Sequence, residues 1–357
     1  MQNKLSFKAA IFYTVDLILK EGESLKRLLI LLMAISCFVV GCKTNVEGEN
    51  SSTYTNSETQ SVPSNVVSSS TESDEQNSAP EYENLLQIMS DNGKSVAAYG
   101  DLKNAEFSDA LAELESILNN YTRNVSLVVY SLDNRKALSF NTEEEMFCAC
   151  TVKAPYSLYC CYEMENGNGS LETKMAYEEK HYEWGTGDMQ YSPYGTVFTI
   201  ETMIDKSMRI SDNVGYMMSV DYFGRNGYNE WISSIGCPSL QIKPTVWSLR
   251  AKAKELAVAW CHIYDYFKTN STYSQFLYNS CTNTPNNYAT AALKGIDISH
   301  KQGNNRTGKW LAYSDAGIVW KTDNPYIIVI FTDAPGPSSY DSKLMSDVIN
   351  IVHNKLF

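Results

Sequence analysis

Histidine is scarce in this sequence: only four occur among the 357 residues. No H-E-x-x-H pair is present, and no other close group of His, Cys and carboxylate residues occurs along the chain. Protein sites for zinc and similar ions need three or four such ligands at a characteristic spacing. We therefore expect no metal ion and no other cofactor.

Positive charge is also in short supply. The chain has 29 Lys and Arg against 41 Asp and Glu, a formal net charge of −12, and no basic cluster offsets this balance. Nucleic-acid binding depends on neutralising phosphates with Lys and Arg, so an acidic surface repels that class of partner. We expect no nucleic-acid partner, and we expect a monomer.

No apolar run is long enough for a comfortable membrane span. Residues 24–42 place Lys26 and Arg27 before an apolar run of about a dozen residues, whereas a spanning helix needs ~20. The pattern is typical of a secretion signal, and its end, Val39-Val40-Gly41-Cys42, resembles the lipobox of bacterial lipoproteins. This resemblance implies a lipid on Cys42, and an uncleaved signal anchor is the alternative. Either way, we expect an extracytoplasmic protein held at the bacterial cell membrane.

The chain divides into three parts by composition. Residues 1–42 are interpreted as the lipoprotein signal peptide. Residues 43–84 are rich in Ser, Thr, Asn and Glu and have few large apolar residues, so they cannot bury enough surface to offset the entropy of ordering and are predicted to form a flexible tether. Residues 85–357 are predicted to form one catalytic domain.

Three short motifs within this domain point to acyl-transfer chemistry. Cys150 and Lys153 are three residues apart at the start of a predicted helix, where an amine can reach a neighbouring nucleophile on the same helix face. Ser211-Asp212-Asn213 follows about 60 residues later, and Lys301-Gln302-Gly303 follows after about 90 more, before an alternating apolar strand.

In this order the motifs resemble the S-x-x-K, S-D-N and K-T-G set of class A β-lactamases and penicillin-binding proteins. The segments Tyr313–Trp320 and Tyr326–Thr332 also resemble the last two strands of that family's sheet, so the likeness covers roughly residues 85–357. It implies an α/β fold: a three-layer α/β/α domain with an antiparallel sheet of about five strands, edged by the first and last helices, plus an inserted all-α lobe.

The resemblance implies a role for each motif residue. Cys150 would attack the substrate carbonyl, Lys153 would act as the base, and Ser211 would relay the proton to the leaving nitrogen. Asn213 would bind Lys153 or a substrate amide, whereas Asp212 is expected to satisfy backbone N–H groups.

The third motif would bind the substrate. Lys301 would anchor a substrate carboxylate, Gln302 would donate to it in place of the family's hydroxyl, and the backbone N–H of Asn304 would complete an oxyanion hole with that of Cys150. Gly303 is expected to let the substrate backbone lie flat against the strand.

Two departures from the family pattern limit the expected activity. Cys150 stands where the family has serine, so attack would come from a thiolate and would form a thioester. The E-x-x-L-N pattern that supplies the water-activating glutamate of class A enzymes is absent between Ser211 and Lys301, and neither Glu230 nor Glu255 fits its place, so we expect slow deacylation.

Three functional hypotheses remain open from the sequence. The first is a β-lactamase-like hydrolase acting on small-molecule β-lactams or peptidoglycan peptides. The second is a non-hydrolytic penicillin- or muropeptide-binding module that keeps its acyl group. The third, a papain-like cysteine peptidase, requires His181 or His300 beside Cys150.

Overall fold

An antiparallel sheet of six strands organises the part of the chain that the computed structural model describes, namely residue 89 and the ranges 93–133, 136–243, 249–285, 289–322 and 324–357. The spatial order is β1-β3-β2-β10-β9-β8. The six strands are β1 (Ala97–Gly100), β2 (Val125–Ser131), β3 (Lys136–Phe140), β8 (Ile298–Asn305), β9 (Ala312–Val319) and β10 (Tyr326–Thr332). The short strand β1 extends the expected sheet of about five strands by one.

The centre of the sheet follows from its sequence. Strand β10 reads Tyr-Ile-Ile-Val-Ile-Phe-Thr, and all seven residues are buried. Because alternate side chains of a strand point to opposite faces, Ile327 and Val329 enter one hydrophobic core while Ile328 and Ile330 enter another. A continuous apolar run of this kind predicts a strand that is covered on both faces.

Helices cover the two faces and confirm the three-layer arrangement. Helices α1 and α8 pack with the second core, and α6 contacts β2, β9 and β10 on the opposite face. The eight α-helices within the described ranges are α1 (Ser108–Asn120), α2 (Lys153–Glu165), α3 (Ile200–Arg209), α4 (Asn213–Phe223), α5 (Asn226–Ser234), α6 (Ala253–Lys268), α7 (Thr272–Cys281) and α8 (Ser339–Ile351).

The helical lobe lies between β3 and β8 in sequence, as expected. It also holds two small two-stranded sheets, β4 (Glu145–Phe147) with β7 (Arg250–Lys252), and β5 (Lys174–Ala176) with β6 (Val197–Thr199). The start of α2, the start of α4 and strand β8 carry the three sequence motifs. Cys160 and Cys161 of α2 are fully buried and serve as small core residues.

Every helix within the described ranges is too short or too polar to cross a bilayer. The predicted lipidation site Cys42, the signal peptide and the tether lie outside the described residues.

Candidate active site

The candidate nucleophile sits on a tight turn before α2. Cys150 belongs to a 3₁₀-helix, Ala149–Val152, and its residue is 7% exposed. The preceding Ala149 has φ 47°, in the left-handed region that residues with a Cβ rarely adopt and that costs about 1 to 3 kcal/mol. Such strain is found where the surrounding structure holds a functional group in place, and here the strained turn holds the thiol at the N-terminal end of α2.

Lys153 lies completely buried in the first turn of α2 and is held by the second motif. Its Nζ donates to the backbone oxygens of Ser211 at 2.7 Å and Asp212 at 3.2 Å. It also donates to Oδ1 of Asn213 at 2.8 Å and lies 3.5 Å from Oγ of Ser211. The expected contact between Asn213 and Lys153 is confirmed. Burial lowers the pKa of Lys153, while the nearby thiol and Asp212 oppose this shift.

The thiol of Cys150 is a stronger acid than an ordinary cysteine. Burial has the largest single effect and raises its pKa, but the positive charges of Lys153 and Lys301 oppose burial. Hydrogen bonds with the side chains of Ser211 and Lys153 add to the effect, and the resulting pKa lies below the usual value. All three motifs therefore converge on the sulfur, and they stabilise the thiolate that would attack a carbonyl.

Lys301 brings a second buried ammonium group to the site from β8. Its Nζ donates to the backbone oxygen of Gln302 at 3.2 Å and to Oε1 of Gln302 at 3.3 Å. Burial and the charge of Lys153 lower the pKa of Lys301 to about 7, although Cys150 and Asp315 pull it upward. Lys301 thus exchanges a proton near neutral pH.

The turn of the second motif is built around Asp212. Its carboxylate caps α4 by accepting from the backbone N–H of Gly215 at 2.9 Å, and it accepts from the N–H of Met189 at 2.9 Å. This confirms the expected structural role. Ser211 has φ 62°, a second left-handed residue, and presents its hydroxyl beside the thiol and Lys153. The cap at Asp212 fixes this strained turn.

Sequence reasoning missed a loop that supports the turn. Thr186 Oγ1 donates to the backbone oxygen of Ser211 at 2.6 Å, and Nδ2 of Asn213 donates to the backbone oxygen of Trp184 at 3.2 Å. Gly187 has φ 97°, and a Cβ there would lie 2.0 Å from Oδ2 of Asp212. The signal was the run Trp184-Gly-Thr-Gly187, whose two glycines mark a close backbone approach.

Gly303 has a packing role that sequence reasoning missed. A Cβ at this position would lie 2.6 Å from the backbone oxygen of Cys148 and 3.2 Å from Cβ of Ala149. The missing side chain therefore lets β8 approach the turn that carries Cys150. The expectation that Gly303 accommodates a substrate backbone stays a prediction.

The backbone of Asn304 faces the open edge of β8, as an oxyanion hole requires. Strand β8 pairs only with β9 in the order of the six-stranded sheet. The backbone N–H of Trp320 donates to the oxygen of Asp297, so the odd-numbered residues of β8 form hydrogen bonds with β9. Because the bonding direction alternates along an antiparallel strand, the even-numbered residues, including Asn304, direct N–H and C=O away from β9. The bond from Asn283 N to Ile298 O, on the far side of β8, agrees with this register.

The two candidate histidine partners of Cys150 are occupied elsewhere. Nδ1 of His181 accepts from the backbone N–H of Glu178, and Nε2 donates to the carboxylate of Asp221. His300 is 1% exposed and forms hydrogen bonds with Thr284 and Asp315, so it is a packed histidine. Neither ring has a nitrogen left for the thiol, so the papain-like hypothesis lacks its base. Within the described ranges no group of three His, Cys, Asp or Glu is arranged to hold a metal ion.

Comparison with known proteins gives a consistent answer. A model of the β-lactamase enzyme family matches residues 107–356. β-Lactamase VEB-1 of Pseudomonas aeruginosa is 21% identical over 281 residues, which cover 70% of this chain and 91% of that protein.

Solved structures show the same fold. PBP-A superposes with a TM-score of 0.60 at 19% identity over 69% of this chain and 95% of that one. A class A β-lactamase from Bacteroides cellulosilyticus DSM 14838 superposes with a TM-score of 0.61 at 17% identity, over 71% of this chain and 99% of that one. The fold and the converging motifs define a β-lactamase-like hydrolase of the penicillin-recognising class. The chain belongs to the β-lactamase enzyme family.

Proposed function

We propose that this protein is a lipid-anchored acyl-transfer hydrolase that reacts with β-lactams or related cell-wall peptide amides through a thioester on Cys150. The observation that carries the proposal is the convergence of the three motifs at Cys150, where buried Lys153 and Lys301 and the hydroxyl of Ser211 favour the thiolate. A buried sulfur without these neighbours would be inert, because burial alone raises the pKa of a thiol.

The reaction follows from these contacts. The thiol proton passes to Lys153, and the sulfur attacks the amide carbonyl, whose oxygen receives hydrogen bonds from the backbone N–H groups of Cys150 and Asn304. As the C–N bond breaks, the proton returns from Lys153 through the hydroxyl of Ser211 to the leaving nitrogen, and a thioester remains. Lys301 and the amide of Gln302 would hold a substrate carboxylate beside the reacting carbonyl.

Hydrolysis of the thioester is proposed to be slow. Residues 236–249, which connect α5 to β7, include no Asp or Glu to activate a water. Glu255 accepts from the backbone N–H of Ser239 at 2.7 Å, and Glu230 lines a surface groove beside Tyr159. Neither of these contacts involves Cys150.

This deficiency also favours a second candidate, a binding module that keeps its acyl group. One solved PBP-A variant is described as an acyl-enzyme complex with penicillin G, and that protein shares this fold at a TM-score of 0.60. A stable adduct on Cys150 would serve a sensor or scaffold as well as a stalled enzyme.

Intact-mass measurement after incubation with penicillin G tests both candidates. A transient adduct with release of product supports the hydrolase, and an adduct that persists supports the binding module. Lys153→Ala should slow adduct formation, because the thiol loses its base and a stabilising cation. No adduct in the wild type or in Cys150→Ser removes both candidates.

Cys148 provides a matched control two residues away. Its thiol is fully buried, donates to the backbone oxygen of Leu249 at 3.0 Å, and has a pKa that burial raises to about 12. Cys148→Ser should therefore form the adduct as the wild type does, whereas Cys150→Ala should form none. Loss of the adduct in Cys148→Ser would instead show that Cys148, and not Cys150, is the reacting residue.

Membrane attachment is tested separately. If Cys42 carries the lipid, the wild-type protein should sediment with membranes and Cys42→Ser should lose the diacylglycerol mass. An unmodified Cys42 in the membrane-bound protein would support the uncleaved signal anchor instead.

A further inference from the structure

A surface groove lies between α2 and α5, away from the candidate active site. Its volume is about 580 Å³, and its lining includes three aromatic rings and three carboxylates from these two helices: Tyr159, Tyr162, Trp231, Glu163, Glu165 and Glu230. Glu163 follows Lys153 on α2 by ten residues, which corresponds to ~15 Å along the helix axis. The groove is therefore separate from the groups that surround Cys150.

The aromatic rings of the groove pack against one another. The ring centroid of Trp231 lies 6.2 Å from that of Tyr159, with 27° between the planes, and 5.6 Å from that of Tyr162, edge to face. A Cβ on Gly227 of α5 would lie 2.2 Å from the hydroxyl oxygen of Tyr159, so the missing side chain lets the two helices approach here. Tyr159 is 6% exposed, and Tyr162 and Trp231 are half-buried. The rings therefore form one preorganised apolar wall.

Two carboxylates reach the same ring from different helices. Burial raises the pKa of Tyr159 to about 12, and the charges of Glu163 from α2 and Glu230 from α5 add to this shift. Glu165, the last residue of α2, adds a third negative charge to the groove. Within the part of the chain that the structure describes, no Lys, Arg or His lines the groove and none of the three carboxylates is in an ion pair. The groove is negatively charged and has no internal counterion there.

Two of these carboxylates already accept hydrogen bonds from neutral groups. Oε1 of Glu165 accepts from the hydroxyls of Tyr266 at 3.0 Å and Ser271 at 2.6 Å. Oε2 of Glu163 accepts from Nδ2 of Asn168 at 2.6 Å. Neutral donors leave the negative charge of a carboxylate in place. The groove therefore needs positive charge more than it needs further hydrogen-bond donors.

Charge and shape together select the class of ligand. A quaternary ammonium group has a full positive charge, donates no hydrogen bond and presents an apolar surface of methyl groups, and aromatic rings attract it through their faces. A volume of about 580 Å³ is in the range of small-molecule sites. A second copy of this chain has the same net charge of −12 and would be repelled from the groove.

We propose that the groove between α2 and α5 binds a small quaternary ammonium compound. The proposal does not depend on the reaction assigned to Cys150, because the groove and the thiol lie at opposite ends of α2. Cys150→Ala should therefore bind this ligand as the wild type does.

NMR titration of the ¹⁵N-labelled full-length chain with choline tests the proposal. The chain has six tryptophans, and each gives one indole N–H signal. The signal of Trp231 is identified by its absence from Trp231→Phe and by its shift in Glu230→Gln, the neighbouring residue. We expect this signal to shift saturably with choline chloride and to stay in place with sodium chloride at the same ionic strength. The uncharged analogue 3,3-dimethyl-1-butanol, in which carbon replaces the nitrogen, should bind at least about fivefold more weakly.

A pair of charge variants tests the role of the carboxylates. Glu230 is exposed and forms no ion pair with a described residue, so Glu230→Gln should fold normally and should weaken choline binding at least about threefold. Glu106→Gln removes the same charge next to Phe107, which packs against the core on the opposite face of the sheet from Trp231. This control should bind choline as the wild type does.

Three results would overturn the proposal: choline leaves the Trp231 signal in place, the uncharged analogue binds equally well, or Glu230→Gln binds choline as tightly as the wild type. Choline that shifts only other indole signals would bind elsewhere on the protein, and this result overturns the proposal as well. A Trp231 signal that moves when the protein alone is diluted, and does not respond to choline, would assign the groove to a second copy of the chain and overturn it too.

Discussion

Replacing Gly303 with alanine should misplace the reactive turn while the sheet stays intact. The added Cβ would lie 2.6 Å from the backbone oxygen of Cys148, well inside van der Waals contact, and 3.2 Å from Cβ of Ala149. Backbone rather than a flexible side chain is in the way, so β8 and the turn of Cys150 must separate by about half an ångström or more. Overpacking of this kind costs about 1 to 3 kcal/mol.

The effect on reactivity should exceed the effect on stability. A displacement of about 1 Å between reacting groups can cost ~100-fold in rate, so we expect Gly303→Ala to form the penicillin adduct ~10- to 100-fold more slowly. The melting temperature should fall by several degrees, at about 2 to 4 °C per kcal/mol for a domain of this size. Time-resolved intact mass and thermal unfolding measure the two effects.

Gly167→Ala provides the control. Gly167 follows α2 with φ 87°, and a Cβ there meets nothing within 4 Å. This variant has only the left-handed strain, about 1 to 2 kcal/mol, and should keep the wild-type rate of adduct formation. Equal rates in wild type and Gly303→Ala would refute the packing role assigned to Gly303, and equal slowing in both variants would attribute the effect to lost stability.

Three further predictions follow from the charges and caps. The folded pKa of Lys301 is about 7 and the ordinary value is 10.5, so the unfolded chain binds more protons between these pH values. The free energy of unfolding should therefore rise with pH across that window. Urea unfolding at pH 7 and at pH 10 should show a smaller rise in Lys301→Met. Burial raises the pKa of Glu255, so the protonated form contributes stability below the ordinary value of 4.5, and this contribution is lost as pH rises through the folded pKa. Glu255→Gln should therefore have a higher melting temperature than the wild type at pH 7 and the same melting temperature at pH 4. Identical differences at both pH values would contradict this prediction. Asp212→Ala leaves two backbone N–H groups without their acceptor, so it should lower the free energy of unfolding in urea by ~1 to 3 kcal/mol and slow adduct formation. The control Ser271→Ala removes the cap of α7 and should cost ~1 kcal/mol without changing the rate of adduct formation.

Local patterns predicted the parts of the fold that depend on local sequence. Strand β10 has the bounds expected of its apolar run, Tyr326–Thr332, because burial on both faces leaves a clear mark in the sequence. The strand β1 was missed, since Ala-Ala-Tyr-Gly at a sheet edge has no such mark and is held mainly by pairing with β3.

The same distinction applies to the site. Cys150 and Lys153 are neighbours through helix geometry, and resemblance supplied the other two motifs. The glycines beside Trp184 and Thr186 signal a close backbone approach, but the segment they approach lies 25 to 29 residues away in sequence and could not be predicted. The pKa of Lys301 likewise depends on its burial and its distance from Lys153 across the cleft, and neither can be read from spacing.

The arrangement of charges explains why the site should prefer a substrate with a carboxylate. Lys153 and Lys301 are both fully buried, and the thiolate of Cys150 can balance only one of them. Asp212 directs both oxygens to backbone N–H groups, so its charge is already partly compensated. Without substrate, Lys301 can lose its proton near pH 7, and this loss removes the excess positive charge. A bound carboxylate would balance that charge instead, so Lys301 would take up the proton again. Substrate binding should therefore be accompanied by proton uptake at neutral pH, and a neutral amide would gain nothing from this exchange.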